Sequence, residues 1–242
     1  MILFRSILFN IVFLVWSTLV GVAMLPILLM GAPAMRRGCA WWIWTVVWLL
    51  RVIANIRYEL RGLEHMPDTP AIFASKHQSA WETLFLTAYF KNPAVVSKRE
   101  LMFVPFYGLF AIRAGMIWVN RSQGVRAIRP MIRQTLDALK LGRNVVVFPQ
   151  GTRTAPGTHL PYQPGIAALY VGASAPVVPV ALNSGMFWGR RSFQKNPGTI
   201  VVEFLEPIPP GLDRKTFLEV LSDRIETATT RLEEEASSAR QK

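Results

Sequence analysis

Hydrophobic positions along this chain fall into three regimes. Residues 7–30, ILFNIVFLVWSTLVGVAMLPILLM, run 24 positions without a charge, longer than the roughly 20 residues needed to cross a bilayer core. GAPA at 31–34 offers a small-x-small cleavage pattern, but the run exceeds the ~7–15-residue apolar core of a secretory leader, so an uncleaved anchor is expected. The next run, CAWWIWTVVWLLR at 39–51, is short for a span, and Trp41, Trp44 and Trp48 recur at helical spacing. That pattern suits a helix lying in the membrane interface, or a buried core helix. From residue 56 short β-branched runs alternate with helical periodicity. Strands are predicted at 56–60, 71–75, 94–98, 116–121, 144–149, 176–182 and 199–205, and helices at 79–90, 101–112, 125–141, 164–173 and 214–235. Such interleaving predicts an α/β fold, a mostly parallel sheet flanked by helices. The domain expectation is membrane-anchoring helices over 1–54 and an α/β domain over 55–242.

Composition sharpens this picture. The 242 residues are 51% hydrophobic and 17% charged, with a mean hydropathy of +0.28, on the apolar side of soluble domains, so part of the surface is expected to meet lipid. Cys39 is the single cysteine, which excludes an internal disulfide framework. The net charge of +12 is concentrated: residues 83–202 hold 14 Lys and Arg against Glu100 and Asp137, whereas residues 203–242 hold 6 bases against 9 acids. A basic middle implies an anionic partner. The segment has no nucleic-acid-binding motif, so a phospholipid surface or a phosphorylated substrate is expected instead. On 125–141, Arg126, Arg129, Arg133 and Lys140 mostly form one stripe, either a solvated face or a contact for anionic headgroups. Arg36, Arg37 and Arg51 follow the first apolar run and only Arg5 precedes it, which puts the downstream domain on the cytoplasmic side of the inner membrane.

Candidate chemistry lies in two stretches. In SKHQSAWETLF, residues 75–85, His77 follows a predicted strand and Glu82 falls in the first turn of a predicted helix. From there the carboxylate can reach back to fix the imidazole tautomer, leaving the other nitrogen to take a proton. A capping histidine beside an ordinary first-turn glutamate fits the same residues. In VVVFPQGTR, residues 145–153, a buried strand runs into a turn formed by Gln150, Gly151 and Thr152 and followed by Arg153. Backbone N–H groups there could cradle a phosphate or an oxyanion, although a plain strand exit reads the same way. Between them, Lys98, Arg99 and Arg121 bracket an apolar segment. The chain has no G-x-S-x-G elbow, no phosphate loop and no dinucleotide fingerprint. His65, His77 and His159 lack partners at metal-ligand spacing, so no metal is expected.

The order and spacing of these blocks resemble the glycerolipid acyltransferase family, in particular the bacterial 1-acylglycerol-3-phosphate acyltransferases. The matching positions are His77, Ser79 and Glu82; then Lys98, Glu100, Pro105, Gly108, Gly115 and Arg121; then FPQGTR at 148–153; then VVPVALNSG at 177–185. The resemblance covers about residues 55–210. It implies that His77, oriented by Glu82, deprotonates the free hydroxyl of a lysophospholipid, which attacks the thioester of acyl-CoA or acyl carrier protein without an acyl-enzyme. It also implies that Lys98, Arg121 and Arg153, with the turn at Gln150, Gly151 and Thr152, hold the acceptor phosphate, that no cofactor or metal takes part, and that the bilayer supplies the acceptor. Three positions depart from the family pattern: Glu82 stands where aspartate is usual, Lys76 where asparagine is common, and Gln150 where the family has glutamate. Alternatives are another lysolipid acceptor, such as lyso-ornithine lipid, or a non-catalytic membrane-tethered lipid-binding protein.

Overall fold

A computed structural model describes residues 1–241. Its N-terminus is a helical hairpin: α1 (Ile2–Ala23), a short 3-10 turn (Leu25–Leu29) and α2 (Ala32–Ala54). Pro26 opens the 3-10 turn and Pro33 opens α2, positions where the missing N–H costs nothing. Asn55 then closes α2 in the left-handed conformation. The second apolar run is therefore part of a 23-residue helix, longer than the run of 39–51 suggested. By length and apolarity both α1 and α2 could cross a membrane. α2 has two faces. Met35, Ile43, Val46, Val47, Leu50 and Ala54 are buried, while Trp41, Trp44, Trp48 and Val52 lie exposed. One face is thus the core helix that the sequence allowed, and the other leaves its tryptophans open.

The strands are β1 (Ile56–Arg61), β2 (Ile72–Ser75), β3 (Ala94–Lys98), β4 (Ile117–Val119), β5 (Val145–Val147), β6 (Val177–Leu182) and β7 (Gly198–Phe204). They form one sheet in the order β1-β7-β6-β2-β5-β3-β4. Five strands run parallel from β6 to β4; β7 is antiparallel to β6 and carries β1 parallel beside it. β2, β5 and β6 are buried along their whole length, as expected for central strands covered on both faces. The remaining helices are α3 (Trp81–Tyr89), α4 (Tyr107–Ala114), α5 (Ile128–Lys140), α6 (Pro164–Ala173) and α7 (Arg214–Gln241).

Two cores sandwich the sheet. On one face, Ile43, Val46, Val47 and Leu50 of α2 join Trp81, Phe85 and Leu86 of α3 over Phe73, Val146, Val178 and Ile200. On the other, Met131 of α5, Leu169 and Tyr170 of α6, and Phe217, Leu221 and Ile225 of α7 cover Ile72, Val145 and Val177. α1 is fastened to the loop between β6 and β7. Asn10 Nδ2 donates to the Phe193 carbonyl at 2.9 Å and the Lys195 amide to Ser6 Oγ at 2.9 Å. Trp188 meets Phe9 and Phe13 edge-on. Lys195 is buried and its Nζ lies over the rings of Phe9 and Trp188.

Candidate active site

In an open parallel sheet, ligands collect beyond the strand C-termini. β2, β5, β3 and β4 are neighbours and parallel, so the segments leaving them meet at one edge. These segments carry His77, the 148–153 turn, Lys98 and Arg121 respectively.

His77 Nδ1 and Glu82 Oε1 are 2.8 Å apart, with the His77 side chain 14% exposed and that of Glu82 fully buried. The two side chains touch, as the reading in which the carboxylate reaches back to the ring requires. α3 has no side-chain cap, and Glu82 at its second position folds back to serve the entrance. Its Oε1 accepts from the amides of Gln78 at 2.8 Å and Ser79 at 2.7 Å, and Oε2 accepts from Ser184 Oγ at 2.7 Å. A carboxylate is acceptor-only, so these four donors suit it and leave its position little freedom. With Nδ1 facing that carboxylate, the neutral ring carries its proton on Nδ1 and presents a bare lone pair at Nε2. No group among the described residues hydrogen-bonds Nε2. Phe148 stacks on the imidazole at 4.0 Å between centroids, fixing the plane of the ring. Ser79 Oγ accepts from the Trp81 amide at 3.1 Å; it braces the helix entrance.

The 148–153 turn is closed by the Gly151 amide donating to the Phe148 carbonyl at 2.9 Å. Gly151 has φ +70°, and a Cβ there would sit 3.0 Å from Arg121 Nη1. Glycine therefore serves twice, in the left-handed backbone and in letting the Arg121 guanidinium lie over the turn and donate to the Gly151 carbonyl. The amides of Thr152 and Arg153 have no acceptor among the described residues. Two adjacent unpaired N–H groups with the Arg121 guanidinium over the same turn are donors of the kind that can take an anion. Burial pushes the Tyr107 phenol up, while Ser97 and the nearby Arg153 pull it back. Desolvation lowers the Arg121 guanidinium and Glu100 opposes that shift. Among the described residues no ion pair engages Lys98, Arg121 or Arg153, and no cluster could hold a metal ion.

Gln150 sits differently from its neighbours. It is 2% exposed, its Oε1 accepts from the His77 amide at 3.4 Å and its Nε2 donates to Glu226 Oε1 at 3.4 Å. The side chain thus turns inward, toward α7. Ser184 and Glu226 went unnoticed in the sequence. Ser184 follows β6, the strand beside β2, and the VVPVALNSG block contains it; nothing local marks Glu226.

Residues 57–183 match the family model described as Acyltransferase. A 1-acyl-sn-glycerol-3-phosphate acyltransferase of Pseudomonas aeruginosa is 44% identical over 161 residues, 66% of this chain and 63% of that protein. The human 1-acyl-sn-glycerol-3-phosphate acyltransferase alpha is 31% identical over 179 residues, 73% of this chain and 63% of its own length. The matched stretch thus spans a little under two thirds of these relatives. In fold, the chain superposes on the crystal structure of the 1-acyl-sn-glycerophosphate acyltransferase from Thermotoga maritima with a TM-score of 0.75 and 20% identity, covering 96% of this chain and 99% of that one.

Proposed function

The chain belongs to the acyltransferase family, and from that premise we propose that it moves a fatty acyl group from a thioester, acyl-CoA or acyl carrier protein, to the free hydroxyl of 1-acylglycerol-3-phosphate, giving phosphatidic acid. The reading is supported by relatives that carry that activity in their names. The observation that carries it is the His77–Glu82 pair, 2.8 Å apart, with Nε2 unengaged at the sheet edge that also bears Lys98, Arg121 and Arg153. In this mechanism Nε2 takes the proton of the acceptor hydroxyl as its oxygen attacks the thioester carbonyl. Glu82 holds the Nδ1–H and stabilises the imidazolium that forms. The tetrahedral intermediate collapses with loss of the C–S bond, and the imidazolium returns its proton to the departing thiolate. The three cations and the unpaired amides of Thr152 and Arg153 hold the phosphate, as charge-assisted bonds do best.

The α1–α2 hairpin keeps the site at the bilayer, the source of the acceptor, with the catalytic domain on the cytoplasmic side. The exposed side chains Leu3, Phe4, Ile11, Leu14, Val15, Leu19 and Val22 on α1 fit contact with lipid better than with water. The test is transfer of a radiolabelled acyl group to a panel of lysolipids. Labelled phosphatidic acid, lost with His77→Ala, is expected. Labelling of lyso-ornithine lipid alone would move the acceptor assignment, and no labelling at all would favour a lipid-binding role.

A further inference from the structure

The acidic segment that closes the chain has no part in the chemistry above, yet α7 carries two of its carboxylates to the back of the site. Glu226 and Glu233 are seven residues apart, hence on one face of the helix. Glu226 Oε2 meets Lys76 Nζ at 2.5 Å and His159 Nδ1 at 2.7 Å, while Oε1 accepts from Tyr162 Oη at 2.9 Å and Gln150 Nε2 at 3.4 Å. Glu233 Oε1 accepts from Gln78 Nε2 at 2.5 Å, and its Oε2 accepts from the Gly157 amide at 2.8 Å. Lys76 and Gln78 are buried and stand on either side of His77 in the chain. Lys76 Nζ also donates to the Thr158 carbonyl at 3.3 Å, and Gln78 Oε1 accepts from the Gly185 amide at 3.0 Å.

We propose that Glu226 and Glu233 of α7 are positioning residues, a two-point clamp that fixes the 76–79 loop, and through it His77, for acyl transfer. Three features support this. Both neighbours of His77 are held from the same helix, so the His77 backbone cannot swing without breaking one of the two contacts. Both carboxylates also hold the 157–162 segment, which continues from the 148–154 turn; the Thr154 amide in turn bonds the His77 carbonyl at 2.8 Å. The clamp therefore ties together the two loops that form the site. Finally, a buried Lys–Glu pair adds little net stability relative to apolar packing, and what this one does add is geometric definition. Catalytic geometry is sensitive on that scale, since a displacement of about 1 Å can cost on the order of 100-fold in rate.

The inference rests on the acyl-transfer reading, and its test separates the two. Glu233→Ala opens one point of the clamp. Lys76→Met/Glu226→Gln opens the other without leaving a buried charge unpaired. Kinetics of acyl transfer to 1-acylglycerol-3-phosphate are measured beside hydrogen exchange of the peptide spanning residues 77–80. Each variant is expected to lower kcat by about 10–100-fold, with KM for donor and acceptor within twofold of wild type. Neither should lower the residual rate of a His77→Ala background further. The 77–80 peptide should exchange faster, with β5 and β6 unchanged. A kcat within twofold of wild type, a loss carried by KM, or unchanged exchange at 77–80 would overturn the clamp. Should the wild-type chain transfer no acyl group at all, the acyl-transfer reading falls, and the exchange measurement alone decides for or against the clamp.

Discussion

In the proposed mechanism, His77→Ala removes the ring whose Nε2 would take the proton while Nδ1 is committed to Glu82, and a positioned base contributes ~10²–10⁴-fold. The rate of phosphatidic acid formation should fall by that order with membrane partition unchanged; activity within threefold of wild type would exclude His77 as the base. Glu82→Gln offers one acceptor oxygen where two now serve four donors. It should abolish activity and cost about 1–3 kcal/mol of stability from unsatisfied buried groups, seen as a lowered thermal midpoint. Gln150→Glu installs the glutamate of the pattern that this turn resembles but sets a second carboxylate beside Glu226 in a buried place. Like charges there oppose each other, so the single variant should lose stability, and Gln150→Glu/Glu226→Gln should recover it in the same melting experiment. The His77–Glu82 pair was legible because its partners are five residues apart, within reach of one strand-to-helix turn. The third partner, Ser184, lies 102 residues from Glu82, and Glu226 lies 76 residues from Gln150. Contacts at such separation depend on strand order and helix placement, which local pattern does not encode.

The elements themselves follow this logic. α6 has the predicted bounds, and every strand lies where its β-branched run is. The deviations have local causes. The helix expected at 101–112 divides into a 3-10 turn (Arg99–Phe103) and α4, because Pro105 cannot donate in a continuing helix and Phe106 takes φ +59°. The helix expected at 125–141 begins at Ile128, since Gly124 breaks the preceding 3-10 turn (Arg121–Ala127) with φ +52°. β4 is shorter than its apolar run because it is an edge strand with β3 as sole partner, and Asn120 turns the chain out by accepting from the Ser122 amide. The reversed pair β7 and β1 had no sequence signal, as alternation alone does not specify direction. One prediction belongs at this scale. A Cβ on Gly108 would lie 1.9 Å from the Met102 carbonyl oxygen, so Gly108→Ala must part α4 from the 99–103 turn. The expected cost is about 1–3 kcal/mol, or on the order of 2–4 °C in Tm per kcal/mol at this chain length. An unchanged melt would mean that α4 is not seated on that turn.

At the scale of the molecule, the α1–α2 hairpin and the α/β fold share a core. Ile43, Val46, Val47 and Leu50 of α2 pack with α3 and the sheet, and burying such a side chain is worth roughly 1.5–3 kcal/mol. Removing residues 1–54 loses an amount comparable to the ~5–15 kcal/mol that stabilises a typical protein. The truncated chain should aggregate on expression; a soluble, cooperatively melting fragment would show that the domain stands without its hairpin. The same sharing affects the order in which the protein is made. Ser6 and Asn10 of α1 bond Lys195 and Phe193, which lie 189 and 183 residues further along. At ~5–20 residues per second of synthesis, α1 is complete roughly nine to thirty-four seconds before the loop that covers Phe9 has been translated. For that interval α1 has only its hairpin partner α2 to pack on, through Phe13 with Trp42 and Trp16 with Trp41, and the face that the later loop covers stays open. On the membrane reading proposed above, insertion would precede folding, and the Ser184 hydroxyl, translated near the end of that wait, would complete the hydrogen bonding of Glu82 in a chain already at the bilayer.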